Sequence, residues 1–126
     1  MDLETFEKSG KSLVILKNNQ IIFESSDHML RPLVQAIKEQ DLSGAIIFDK
    51  RIGRGASLLF IYAKVAQVFT LCASKHAVAG LEENNIPFTA KAIVDNLMNT
   101  DGTKVCIMEK LSAGKSPSEF FQELTK

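Results

Sequence analysis

The spacing of apolar residues changes repeatedly along this chain, and each change marks a new element. Leu3 and Phe6 lie three apart among polar residues, so residues 2–8 read as a short helix with both facing inward. Ser12–Leu16 and Ile21–Glu24 read as strands, and Lys17-Asn18-Asn19-Gln20 between them has the chemistry of a hairpin turn. Leu30, Leu33, Val34 and Ile37 then fall at helical spacing. Asp27 is a good N-cap for a helix running to about Gln40. Pro32 fits in the early part of that helix, where it can delay the start.

Strand and helix alternate from there. Ala45–Phe48 is a short buried strand, followed by Asp49-Lys50-Arg51, then Gly53-Arg54-Gly55, then a helix over Ala56–Lys64. Val68–Cys72 is a second buried strand, and Ser74 caps a helix from Lys75 to about Asn84 with Ala77, Val78 and Leu81 on one face. Ile86–Ala90 is extended, with Pro87 marking an edge or a strand start. Ala92–Met98 reads as a short helix, Asn99-Thr100-Asp101-Gly102 as a turn, and Lys104–Met108 as a last strand or extended piece. Ser116 caps a closing helix, with Pro117 first and Glu119 third, near a capping box; Phe120, Phe121 and Leu124 dock it. A hairpin followed by alternating helix and strand predicts one α/β domain over residues 1–126. It is a three-layer α/β/α sandwich on a mixed sheet, its crossovers right-handed and its helices on both faces.

Composition narrows the function classes. At 126 residues, 45% hydrophobic and 24% charged, the chain has ordinary globular usage and enough length for a core. Lys+Arg and Asp+Glu both total 15, which argues against a nucleic-acid partner, although Lys50, Arg51 and Arg54 form a local basic cluster. No segment approaches the ~20 apolar residues of a membrane span. The acidic, polar start MDLETFEKSGK is no secretory signal, so the expected location is cytoplasmic, without a membrane partner. Cys72 and Cys106 are the only cysteines. In a reducing compartment they form no structural disulfide, and alone they make no zinc site. No metal or cofactor is expected.

Candidate chemistry concentrates at two strand ends, because ligands of open α/β sheets bind outside the carboxyl ends of the strands. Asp49 can accept a hydroxyl or amine and Lys50 can meet an anion; the bland alternative is a solvated turn. Gly53-Arg54-Gly55 can turn backbone N–H groups and a guanidinium toward phosphate at a helix start, or the glycines simply permit tight packing. The run matches no nucleotide-binding fingerprint. At the next strand end stand Ser74, Lys75 and His76. Ser74 is better explained as a cap than as a nucleophile; His76 is either a general base or a surface residue, and His28 is a helix-start residue. Cys106, with Lys104 and Lys110 near in sequence, is either a reactive thiol or a buried strand cysteine. Cys72 and Met108 read as core. Glu109 either turns into the pocket or pairs with Lys110 in solvent. The run Leu58–Tyr62 is apolar around most of its helix, which makes that helix central or a subunit interface and favours a homodimer.

Three segments carry a resemblance: DKRIGRGAS at 49–57, CASKHAVAGLEENNI at 72–86 and NTDGTKVCIMEK at 99–110. In that order they resemble an uncharacterised bacterial family of unknown function whose segments run DK-x-x-G-x-A-A, then a strand, Ser and helix, then N-R-x-G-T-x-x-C-P-M-E. That family is described as sharing the cytidine-deaminase-like fold without its zinc site. The likeness covers roughly residues 12–124. Thr100 stands where the family has Arg, and Ile107 where it has Pro. Zinc deaminases carry H-x-E or C-x-E on one crossover helix and P-C-x-x-C on the next. Here Gly53-Arg54-Gly55-Ala56 and Ser74-Lys75-His76-Ala77 stand at those places, and His76 alone cannot hold a catalytic zinc. The resemblance therefore implies the fold and the place of the pocket, not the reaction. The leading expectation is a small-ligand-binding protein, its ligand nucleotide-like, with Asp49, Lys50, Gly53, Arg54, Gly55, Ser74, Lys75, His76, Cys106 and Glu109 at the pocket. The alternatives are a metal-independent enzyme using Cys106 as nucleophile, with His76 or Glu109 assisting, and a non-catalytic accessory protein.

Overall fold

A computed structural model describes residues 1–27, 30–98, 102 and 104–126. Helix α1 spans Leu3–Ser9; the Asp2 carboxylate caps it by accepting from the Thr5 N–H at 2.8 Å, and Phe6 is wholly buried. Strands β1 (Leu13–Lys17) and β2 (Gln20–Ser25) form the hairpin, with Asn18 and Asn19 at φ 55° and 64°. Two successive left-handed residues match the twist of a tight hairpin, and Asn tolerates that conformation well.

Helix α2 (Arg31–Glu39) starts later than an Asp27 cap predicts, with Leu30 at the cap position and no side-chain cap bond. Pro32 accounts for this: it has no N–H to bond a carbonyl four residues back, so it must stay within the first turn. Asp27 instead fixes the preceding loop. Its N–H donates to Ser25 Oγ at 3.0 Å, and its carbonyl accepts from Ser12 Oγ. His28 lies outside the described residues.

Strand β3 (Ile46–Ile52) runs past Phe48 and takes in Asp49, Lys50 and Arg51, which the sequence alone presents as the turn beyond the strand. The extra length is held on both sides, by β1 antiparallel and by β4 (Gln67–Ser74) parallel; Asp49 lies opposite Leu13 and Thr70. Helix α3 (Arg54–Ala63) connects β3 to β4, and α4 (Lys75–Glu83) connects β4 to β5 (Phe88–Ala90), which follows Pro87.

Two expectations fail beyond this point. Ala92–Met98 is not a helix: Ile93–Val94 is a short strand, β6, parallel to the end of β4. The N–H groups of Lys91 and Ala92 bond the carbonyls of Thr70 and Leu71, so β5 and β6 together cover one edge of β4. Lys104–Met108 is not a strand either. Val105 makes one bridge to Met98, and Cys106 stands at the N-cap position of the short helix α5 (Ile107–Leu111) without a side-chain cap bond. Of the turn expected at 99–102, Asn99, Thr100 and Asp101 lie outside the described residues. Helix α6 (Pro117–Thr125) closes the chain with a complete Ser116–Glu119 capping box.

The sheet order is β2-β1-β3-β4-β5, with β6 also on β4. One core cluster holds Leu13, Ile15, Ile47 and Val68 of the sheet with Leu33, Leu59, Phe60, Leu81 and Phe120 of α2, α3, α4 and α6. The second is smaller: Phe6 of α1 with Val14 and Phe48, the last stacked on Phe69 at 4.7 Å. The sandwich is thus lopsided, with α1 alone on its thin side. Helix α3 packs against α2, α4, α5 and α6. Tyr62 on its outer side stacks on Phe121 at 4.5 Å. Most of its apolar girth is packed within one chain, while Tyr62 stays exposed beside Phe121. Among the described residues, no helix is long and apolar enough to cross a membrane.

Candidate functional site

A cavity of about 110 Å³ opens at the carboxyl end of β3, between β1, α2, α3 and α5. Leu13, Leu30, Leu33, Ala56 and Met108 give it an apolar lining; Asp49, Cys106 and Glu109 bring polar groups into it. Lys50 and Arg51 also line it and are exposed, so they stand at its rim.

Asp49 projects from the central strand, half-buried, with neighbouring strands on both sides. Loss of water around the carboxyl raises its pKa from 3.8 to about 7, and the backbone N–H groups of Arg51 and Lys50 only partly offset this. Asp49 is therefore a carboxyl that can gain or lose a proton near neutral pH.

Glu109 comes from α5 and is 4% exposed, so the alternative of a solvent pair with Lys110 is set aside. Its Oε1 accepts from the Arg54 backbone N–H at the start of α3, where the helix leaves N–H groups without partners. Its Oε2 is buried and has no hydrogen-bond partner among the described residues. Gly53 makes this approach feasible: a Cβ there would overlap Glu109 Oε1 and stand 3.0 Å from both Glu109 Cδ and Leu97 Cδ1. Gly55 serves packing, since a Cβ would lie 2.9 Å from Leu30 Cδ1 and 3.1 Å from the Phe120 ring.

Arg54 does not point freely into a pocket. Its guanidinium donates to the Glu109 carbonyl at 3.0 Å and meets His76 Nδ1 at 2.9 Å, joining the starts of α3 and α4. His76 is exposed and does not line the cavity. Ser74 is buried as the cap of α4, accepting from the Ala77 N–H at 3.2 Å. Lys75 is exposed and pairs with Asp95 at 2.7 Å, which raises the Lys75 pKa and lowers that of Asp95. Cys72 is only partly buried. Of the ten residues expected at the pocket, Asp49, Lys50, Gly53, Gly55, Cys106 and Glu109 line one cavity, while Arg54, Ser74, Lys75 and His76 do not line it and stand at the starts of α3 and α4. Sequence reasoning missed Ser12, Leu30 and Leu97 as lining residues. Leu97 carried no signal, because its segment reads as helix.

Residues 2–125 match a family model described as TM1506, a domain of unknown function (DUF1893). The chain belongs to this family. A DUF1893 family protein from Thermotoga maritima, solved at 2.70 Å, has 29% identity and a TM-score of 0.89, over 98% of this chain and 84% of that one. The dCMP deaminase of cyanophage S-TIM5 has 14% identity and a TM-score of 0.56, over 70% of this chain and 92% of that one. A diaminohydroxyphosphoribosylaminopyrimidine deaminase/5-amino-6-(5-phosphoribosylamino)uracil reductase from Thermotoga maritima has 18% identity and a TM-score of 0.52, over 70% and 36%. At these identities the two deaminases show the fold alone. No curated protein matches the chain.

Zinc deaminases ligate their metal from the starts of two crossover helices. The corresponding residues here, at the starts of α3 and α4, do not fit a zinc ion. Arg54 places a guanidinium against His76 Nδ1, and among the described residues no three His, Cys, Asp or Glu side chains converge.

Proposed function

We propose that this DUF1893 protein binds a small metabolite in the cavity under α5 and carries no deaminase chemistry. The observation behind this reading is a cavity at the carboxyl end of a central strand, walled by Glu109 with a buried carboxyl oxygen that nothing among the described residues satisfies. Size sets the ligand class. Pockets for drug-sized molecules run to roughly 300–1,000 Å³, whereas a dry cavity of about 150 Å³ holds benzene. About 110 Å³ is less than that, so the enclosed part takes the edge of one small ring, and the remainder of a nucleotide-like metabolite lies outside past Lys50 and Arg51. That the fold is shared with deaminases named for dCMP and for an aminopyrimidine supports the nucleotide-like reading. Cys72 and Cys106 are both free thiols, which suits a reducing cytoplasm. Ligand-observed NMR against nucleobases, nucleosides and other single-ring metabolites tests the proposal. A binder displaced by filling the cavity with Ala56→Leu supports it; no binder in the set overturns it.

One observation favours a second reading. Cys106 shares the cavity with Asp49 and Glu109, as a thiol nucleophile with a neighbouring carboxyl base would require. His76 is not placed to assist it. Selective alkylation of Cys106 over Cys72 by iodoacetamide, slowed by a cavity ligand, would favour that reading.

A further inference from the structure

Resting on the small-ligand reading, the structure points to a chemical class for that ligand. Glu109 and Asp49 are two carboxyl groups lining one small cavity, and among the described residues neither forms an ion pair. Arg54 cannot serve, because its guanidinium is held by the Glu109 carbonyl and His76. Glu109 Oε1 is already bonded, so Oε2 is the open acceptor, 4% exposed as a residue and walled by apolar side chains. A buried acceptor left unsatisfied is costly, and a donor that also carries positive charge meets it best.

We infer that the cavity takes a compact planar cation of the amidinium or guanidinium class, its N–H groups donating to Glu109 Oε2 and to the Asp49 carboxylate. A flat cation offers several donors on one edge and an apolar face for Leu13, Leu33 and Met108. Burial keeps Asp49 protonated up to about pH 7 in the free protein. A cation between the two carboxyls draws that proton off, so binding releases protons and strengthens as pH rises from 6 to 8. The other charged or titratable groups lining the cavity are Asp27, Lys50, Arg51 and Cys106, with Lys50 and Arg51 at the rim.

The probes are benzamidine, benzyl alcohol and benzoate, which share a ring and differ in charge. Titrations of the full chain by calorimetry, with chemical-shift mapping, should show benzamidine at least about tenfold tighter than benzyl alcohol, a difference in the range of one charge-assisted hydrogen bond. Benzoate should be weaker than both. Glu109→Gln keeps an oxygen for the Arg54 N–H but replaces the open acceptor with a donor; Asp49→Asn removes the other charge. Each should abolish the benzamidine preference while benzyl alcohol still maps to Leu13, Leu33 and Met108. Should Glu109→Gln not fold, Asp49→Asn and the pH dependence carry the test alone. Benzyl alcohol binding in the cavity with no benzamidine preference overturns the cation class and leaves the small-ligand reading standing. No probe binding in the cavity overturns both.

Discussion

Helices α3 and α4 begin in the same way, each after a parallel strand at the centre of the sheet, yet their starts are capped by different means. Helix α4 is capped from within: Ser74 Oγ accepts from the Ala77 N–H three residues on. Helix α3 has Gly53 at the cap position, with no side chain to offer, and the carboxylate that meets its Arg54 N–H comes from Glu109, 55 residues later. A local cap makes a helix start that needs nothing else. An imported cap makes the start of α3 depend on where α5 sits, and it requires that residue 53 have no side chain. The difference also explains why the cavity lies by α3. The imported carboxylate brings a second oxygen, unsatisfied among the described residues, and a glycine-lined approach to the start of α3.

Gly53→Ala strikes the imported cap directly and should have the largest effect. The new methyl overlaps Glu109 Oε1 and presses on Leu97, so Glu109 must leave the Arg54 N–H. Overpacking together with the lost charge-assisted bond should cost about 3 kcal/mol in urea unfolding. A cost no larger than that of removing the local cap at Ser74 would show that Glu109 does not hold α3.

Asp49 gives the next effect, through pH. Its carboxyl holds a proton up to about pH 7 when folded but releases it near 3.8 when unfolded. Unfolding between those values therefore releases a proton. The stabilisation from the neutral carboxyl is fully present below pH 3.8 and is lost as pH rises through 7. Asp49→Asn should remove this slope. Because Asp49 faces an open cavity, the wild-type loss relative to the variant between pH 4 and 7.5 should be about 2 kcal/mol rather than the full value of the shift. Parallel pH profiles for the two proteins would mean that water reaches the carboxyl and keeps it ordinary.

Ser74→Ala should cost about 1 kcal/mol, the usual worth of an N-cap, and leave ligand binding in the cavity unchanged. A change in binding would show that the two helix starts are not separable.

The same contrast decides what could be read in the sequence. Features set by near neighbours were legible: the Asn18-Asn19 turn, the Ser74 cap, the Ser116–Glu119 capping box and the inward Phe6. The family's three segments marked β3, α4 and the Cys106–Glu109 stretch as the parts to watch. What failed was set by distant partners. Asp49, Lys50 and Arg51 look like a turn, but pairing with β1 and β4 keeps them in a strand. Ile93 and Val94 sit in a helical pattern, but the open edge of β4 takes them as strand. Cys106–Met108 reads as extended until Glu109 reaches the Arg54 N–H. Arg54 misleads most. Between two glycines it looks free to meet a ligand, and it is instead spent on the Glu109 carbonyl and His76.

The smallest effects belong to that Arg54 contact, a bond that joins both helix starts. His76→Ala removes an exposed acceptor, and water takes its place at the guanidinium, so stability should change by no more than about 0.5 kcal/mol. Arg54→Ala should cost slightly more. The Glu109 carbonyl loses its bond at 3.0 Å but still accepts from Ser112 Oγ at 3.1 Å, so it is not orphaned. A cost of about 0.7 kcal/mol, or roughly 2–4 °C in Tm for a chain of this size, is expected. Comparing the two single variants then separates the two roles, with the double variant as a check that no further contact is lost. If Arg54 acts mainly by holding α5 in place, Arg54→Ala costs more than His76→Ala and the double variant matches Arg54→Ala. If the two singles instead cost the same and the double costs no more than either, the Arg54–His76 bond carries the whole effect. The starts of α3 and α4 would then be one coupled unit rather than a local cap beside an imported one.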